Sequence, residues 1–163
     1  MLSWDEICDD PALQDLPYKI ETNQYGQIIM SPAKGWHSER QLLIISELSK
    51  RMPHGKPLPE APVATSGGVK VADVGWYSKN RLAPIRRESA YTIAPEICVE
   101  VLSDSHTTRG QHEKAALYFG TGAEEFWTCN EEGGMLFYLK TDPITPVAAS
   151  VLCPEFPTRL DVD

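Results

Sequence analysis

Apolar positions along the chain recur with two periods, and the switches between them mark its elements. Over residues 4–16, Trp4, Ile7 and Leu13 stand among acids, the pattern of one or two short helices ended by Pro17. Residues 18–22 and 27–30 flank Asn23-Gln24-Tyr25-Gly26, where glycine supplies the positive φ of a turn, so a β-hairpin is expected. Between Trp36 and Met52, the residues Leu42, Ile45, Leu48 and Met52 repeat at helical spacing until Pro53, predicting a first long helix. Residues 62–66 and 69–76 read as two strands joined through Gly67-Gly68. Residues 97–102 are an apolar run broken by one carboxylate, Glu100, the pattern of a strand covered on both faces. Residues 111–119 place Lys114, Leu117 and Tyr118 on one helical face, and residues 125–129 and 135–139 read as closing strands around Gly133-Gly134.

That order predicts an α/β fold: a mixed central sheet flanked by two main helices, with an N-terminal β-hairpin. A chain of 163 residues buries a core without staples, and one domain over 1–163 is expected. It divides into a helical cover (1–17), the hairpin (18–32), a core (35–140) and a tail (141–163). No repeat or low-complexity segment interrupts it, and the 13 prolines punctuate loops.

Charge changes the picture more than bulk composition does. A formal net charge of −8 repels a polyanion, yet basic residues gather at Lys79, Arg81, Arg86 and Arg87 and at Arg109 and Lys114, while acids crowd the termini. The stretch Trp76-Tyr77-Ser78-Lys79-Asn80-Arg81 interleaves aromatic and basic residues as a nucleic-acid-contacting loop does, although a solvated loop with one buried Trp explains it as well. His106-Thr107-Thr108-Arg109 offers helix-end N–H groups and a guanidinium to a phosphate. No apolar run is long enough to span a bilayer, and the N-terminus carries acids where a secretory signal carries basic residues, so no membrane association and a cytoplasmic location are expected. Cys8, Cys98, Cys129 and Cys153 lack metal-ligand or disulfide-framework spacing and read as reduced thiols, at least two of them inside strands.

Burying an ionised carboxylate in a central strand costs several kcal/mol unless it is paired or binds a metal, so Glu100 needs a partner. Asp73, 27 positions earlier and between apolar neighbours in a second strand, can meet it at one sheet edge. Two carboxylates with a strand carbonyl suit Mg²⁺, which polarises phosphoryl oxygens and generates hydroxide from water, and a nearby lysine would complete such a site. Taken singly, each acid reads equally well as structural: Asp73 as an edge residue, Glu100 as an ion pair with Lys114 or Arg109.

Three motifs act together: Ala72-Asp73, then Ala94-Pro95-Glu96-Ile97-Cys98-Val99-Glu100-Val101-Leu102-Ser103, then Lys114-Ala115-Ala116-Leu117-Tyr118. With Ile20-Glu21-Thr22, the stretch Gly26 to Pro32, His37, Gly68 to Asp73 and Phe156-Pro157-Thr158-Arg159, they resemble the Uma-two family of restriction-endonuclease-like proteins, in the PD-(D/E)XK superfamily. The resemblance covers most of the chain. It implies a restriction-endonuclease-like core and a Mg²⁺-dependent endonuclease, with Mn²⁺ as substitute, that hydrolyses DNA phosphodiester bonds.

By the same resemblance Asp73, Glu100 and the Val101 backbone carbonyl hold the metal, and Glu21 binds a second metal or a water. Ala72 stands where the superfamily has proline. Leu102 stands where it has lysine, so Lys114 on the helix supplies the ammonium. His37 matches the histidine opening the long helix, and Gln41, one turn on, is placed to bond a phosphate or a metal-bound water. Glu96 reads as solvent-facing or as a support behind the ligands, and Lys70 as pointing away from the acids. A homodimer is expected where both strands of a duplex are cut. The alternatives are a non-catalytic binding or assembly module on the same fold, and a hydrolase of another phosphate compound.

Overall fold

Six strands lie in sequence order, β3-β4-β5-β6-β7-β8, in one mixed sheet, and the computed structural model describes residues 1–104 and 106–163. The elements are α1 (Trp4–Asp9), a 3₁₀ turn (Pro11–Leu13), β1 (Tyr18–Thr22), β2 (Ile28–Pro32), α2 (Gly35–Arg51), β3 (Gly55–Thr65), β4 (Gly68–Ser78), α3 (Lys79–Leu82), β5 (Ile97–Val101), α4 (Thr108–Gly120), β6 (Glu125–Cys129), β7 (Met135–Leu139) and β8 (Asp142–Val147). Only β5 and β6 run parallel, as their connection through α4 requires; the other neighbours are antiparallel. The α/β class, the mixed sheet and the N-terminal hairpin agree with the sequence.

The sheet's apolar residues pack against a helix on each side. Ile44 and Leu48 of α2, and Met52 that caps its end, meet Val74, Trp76, Val99, Trp127 and Phe137. Ala115 and Tyr118 of α4 meet Cys98 and Phe126. Glu100 shares the parity of Cys98 and so faces α4.

Both sheet edges exceed the expectation. β3 begins at Gly55, well before residue 62, and β8 is a strand the periodicity does not disclose. Each carries prolines (Pro57, Pro59 and Pro62; Pro143 and Pro146), which an edge strand tolerates because the missing N–H can lie on its unpaired side. The β3–β4 loop is Ser66-Gly67, with Thr65 opposite Gly68, one residue earlier than expected.

The hairpin β1–β2 stands outside this sheet and docks on the start of β4. Ladder pairing of β4 with β5 covers only Val74, Gly75 and Trp76, leaving earlier N–H groups of β4 available. Thr22 Oγ1 accepts from the Val69 N–H (2.8 Å) and Glu21 Oε2 from the Val71 N–H (2.6 Å). Gly68 permits this approach: its φ is +97°, and a Cβ there would lie 2.5 Å from the Thr22 carbonyl oxygen.

The basic-aromatic stretch is no surface loop. Trp76 and Tyr77 are buried in β4, and Arg81 Nη1 donates to the carbonyls of Ala94 (3.0 Å) and Gly122 (2.8 Å), so its guanidinium is spent on the fold. Cys98 and Cys129 are buried in β5 and β6, and all four cysteines are free thiols. Among the described residues no helix is long and apolar enough to cross a membrane.

Candidate active site

Where β4 leaves β5, the Asp73 side chain bridges the gap. Its Oδ2 accepts from the Val101 N–H at 2.7 Å and its Oδ1 from Lys19 Nζ at 3.1 Å. Glu100 on β5 completes the pair: Oε2 accepts from the same ammonium at 3.2 Å, while Oε1 accepts from the Tyr118 hydroxyl (2.8 Å) and faces Lys114 Nζ (3.1 Å). Glu21 enters from β1, its Oε2 2.8 Å from Lys114 Nζ and 4.0 Å from Lys19 Nζ. Behind them, Gln41 Nε2 donates to the Asp73 backbone carbonyl at 2.9 Å, tying α2 to β4.

This packing separates the two central acids. Burial, and then the Glu100 carboxylate, push Asp73 up to about 7, with Lys19 and the Val101 N–H only partly offsetting them. Burial acts on Glu100 in the same sense, but Lys114, Lys19 and the hydrogen bonds from Asp73 and Tyr118 together hold it at about 2. A proton retained by the pair therefore favours Asp73 over Glu100. Lys19 is buried too, yet Glu100, Asp73 and Glu21 keep it firmly charged.

With this geometry in hand, a family model described as "Putative restriction endonuclease", Uma2, matches residues 10–150. The chain belongs to the Uma2 family. A crystal structure described as "a putative nuclease belonging to DUF820", from Anabaena variabilis ATCC 29413, is similar over 98% of this chain and 95% of its own, with a TM-score of 0.73 at 18% identity. That likeness extends the family's fold to nearly the whole length. No curated protein matches the chain.

In this Uma2 protein Asp73, Glu100, Lys114 and Glu21 come together. Lys114 pairs with Glu100 and Glu21, and it is Lys19 that reaches Asp73. A cleft of about 280 Å³ opens beside Asp73, bordered by Lys19, His37, Gln41, Val101 and His106. Among the described residues His37 Nε2 is buried without a hydrogen-bond partner, and burial, then His106, lower the pKa of its ring.

Several neighbours differ from expectation. Glu96 is buried, accepting from the Ser78 N–H (3.1 Å) and pairing with Arg81 (3.5 Å), so it holds α3 and does not face solvent. Lys70 is turned toward the site's second opening, beside Glu21 and Lys114, and donates to the Thr22 carbonyl at 2.7 Å. Leu102 is half-buried at an opening it shares with Glu100 and Lys114. Arg109 pairs at the surface with Glu113 (3.0 Å). Lys19 escaped the sequence reading, although one signal pointed to it: it lies two residues before Glu21 in β1, so both share a strand face.

Among the described residues no three His, Cys, Asp or Glu side chains form a metal-holding group. What the cluster offers is two carboxylates: Asp73 Oδ1 and Glu100 Oε2 converge on one cation, the Lys19 ammonium. This donor set fits Mg²⁺, which is commonly held by one or two carboxylates with water completing its shell.

Proposed function

We propose that this Uma2 protein is a Mg²⁺-dependent endonuclease, with Mn²⁺ able to substitute, that hydrolyses DNA phosphodiester bonds. The observation that carries the reading is the convergence of Asp73 Oδ1 and Glu100 Oε2 on a single cation position beside an open cleft. Asp73 and Glu100, with the Val101 carbonyl, are the residues that would hold the ion. When bound, it supplies a Lewis acid for a phosphoryl oxygen and an acidified water.

The chain's own groups do the rest. The Val101 N–H and Gln41 fix Asp73, and Tyr118 fixes Glu100, so Asp73 Oδ1 and Glu100 Oε2 keep their aim. Glu21 and Glu100 hold Lys114 between them, which positions its ammonium to orient the attacking water or to neutralise charge on the phosphate. His37 presents beside the cleft a ring nitrogen with no partner among the described residues, placed to bond a phosphate oxygen or a water.

Purified protein incubated with supercoiled plasmid and Mg²⁺ or Mn²⁺ tests this. Nicking is expected, and Glu100→Gln and Lys114→Ala should both abolish it with the fold intact by circular dichroism. No cleavage in either metal, across salt concentrations and with single-stranded and structured substrates, overturns the reading. The net charge of −8 and the existing ion pairs favour a second one, a binding module without catalysis. In that case Mn²⁺ gives neither heat in calorimetry nor a thermal shift.

A further inference from the structure

We infer that Lys19 is the internal occupant of the cation position, displaced when a divalent ion and a substrate phosphate enter together. This rests on the reading of Asp73 and Glu100 as the cation site. Each carboxylate has one oxygen committed elsewhere: Asp73 Oδ2 to the Val101 N–H, Glu100 Oε1 to Tyr118 and Lys114. An incoming ion that bridges the two acids is left with Oδ1 and Oε2, the same oxygens that Lys19 Nζ holds at 3.1 and 3.2 Å. Two cations cannot share that point, since the ion needs oxygens at about 2.1 Å and repels an ammonium beside it.

Charge makes the displacement conditional. Glu21, Asp73 and Glu100 face the ammonium groups of Lys19 and Lys114, so the cluster is nearly balanced before any metal arrives. A divalent ion added to both lysines reverses the sign of the site. The two lysines are placed differently for the adjustment. Lys114 is gripped by Glu21 and by Glu100 Oε1, neither of which the ion requires, so it stays. Lys19 borders the cleft with His37 and Gln41 and has an unbranched chain that can swing into it. Glu60 also borders this cleft, and there the ammonium can take a phosphate oxygen. Cation and phosphate binding are thus coupled through Lys19, and the coupling is reciprocal.

Mn²⁺ calorimetry on the full chain tests this, with thymidine 3′,5′-bisphosphate as a phosphate probe that has no diester to cut. Lys19→Gln should bind Mn²⁺ alone about tenfold more tightly than wild type or better, with a larger Mn²⁺-induced thermal shift. The bisphosphate should tighten Mn²⁺ binding to wild type and leave Lys19→Gln nearly unchanged. Lys19→Arg, whose guanidinium can hold both oxygens, should bind Mn²⁺ no better than wild type, and it decides the matter if the neutral variant fails to fold: binding tighter than wild type sinks the inference. Equal Mn²⁺ affinity in wild type and Lys19→Gln, with Glu100→Gln binding none, overturns the role of Lys19 and leaves the cation site standing. Equal tightening by the bisphosphate in both proteins overturns the coupling. Absence of Mn²⁺ heat from wild type and Lys19→Gln alike overturns the cation site itself, and this inference with it.

Discussion

Two glutamates are buried on neighbouring parallel strands, Glu100 on β5 and Glu125 at the start of β6, 3% and 1% exposed. Glu125 takes only neutral donors: the Trp127 indole N–H on Oε1 (2.9 Å), and the N–H groups of Val151 (3.1 Å) and Leu152 (2.7 Å) on Oε2. It fastens the segment after β8 to the sheet. Glu100 sits instead among two ammonium groups and a second carboxylate, beside an opening to solvent. Both are satisfied, so burial and satisfaction do not distinguish a site from a fastening. The difference is in the partners. Neutral donors leave Glu125 nothing to exchange, whereas a charged partner of Glu100 can be traded for an ion or a substrate.

Glutamine at each position should break the comparison most sharply. In Glu125→Gln the amide NH₂ must face a donor whichever way it turns, so one or two N–H groups lose a buried acceptor at about 2–4 kcal/mol together. Thermal unfolding should show the loss while Mn²⁺ affinity of the folded protein holds. Glu100→Gln should do the reverse. Its carbonyl can still accept from Tyr118, Lys19 keeps Asp73 and Lys114 keeps Glu21, so it loses less stability than Glu125→Gln but all Mn²⁺ binding. An equal or greater loss of stability would make Glu100 a structural ion pair.

A smaller effect follows from the divided acidity of the pair. In chelator, folded Asp73 keeps its proton to about 7 while the unfolded chain releases it near 3.8, so this group's contribution to stability falls as pH rises from about 4 to about 7. Glu100, held at about 2 against an ordinary 4.5, contributes stability that is fully present above 4.5 and is lost as pH falls toward 2. Asp73→Asn should abolish the upper slope and gain about 1–2 kcal/mol relative to wild type between pH 5 and pH 7.5. Urea midpoints at those two pH values measure it. A slope as steep in Asp73→Asn as in wild type would place the proton elsewhere. Repulsion between the two acids thus falls on Asp73, because Lys114 pairs with Glu100 while Lys19 serves both.

Period and interruption made the inner strands legible, and Glu100 stood out because an apolar run has no other place for a charge. Signals failed where local rules and tertiary context part. Prolines hid β8 and the first half of β3, since a sequence does not say which strands are edges. Lys19 looked like an ordinary polar residue of a short hairpin; its partners lie 54 and 81 residues away. Arg81 looked like a phosphate contact because two of its partners are backbone carbonyls, which leave no mark in side-chain chemistry, and its carboxylate partner Glu96 is distant in the chain.

The smallest expected effect on stability concerns Leu102, just past the end of β5. Leu102 is half-buried, its N–H is bonded to the Cys129 carbonyl at 2.8 Å, and it borders the same opening as Glu100 and Lys114. It follows Glu100 by two residues, so both side chains leave the strand on one side. A lysine there can lay its stem along the surface Leu102 covers and send its ammonium to the opening, and Leu102→Lys should cost about 1 kcal/mol or less. Lys114→Ala removes the ammonium that Glu21 and Glu100 hold, leaving Glu21 the Val71 N–H and Glu100 the Tyr118 hydroxyl and Lys19. Cleavage should disappear while Mn²⁺ binding stays nearly intact, because the lysine acts on water or phosphate and not as a ligand. Combining the two changes should restore part of the nicking rate and raise the melting temperature above that of Lys114→Ala, since the strand again delivers a positive charge to Glu100. A double variant no more stable than Lys114→Ala would show that the two positions do not reach one place. Undiminished cleavage by Lys114→Ala alone would remove that lysine from the mechanism and make Lys19 the cluster's working ammonium.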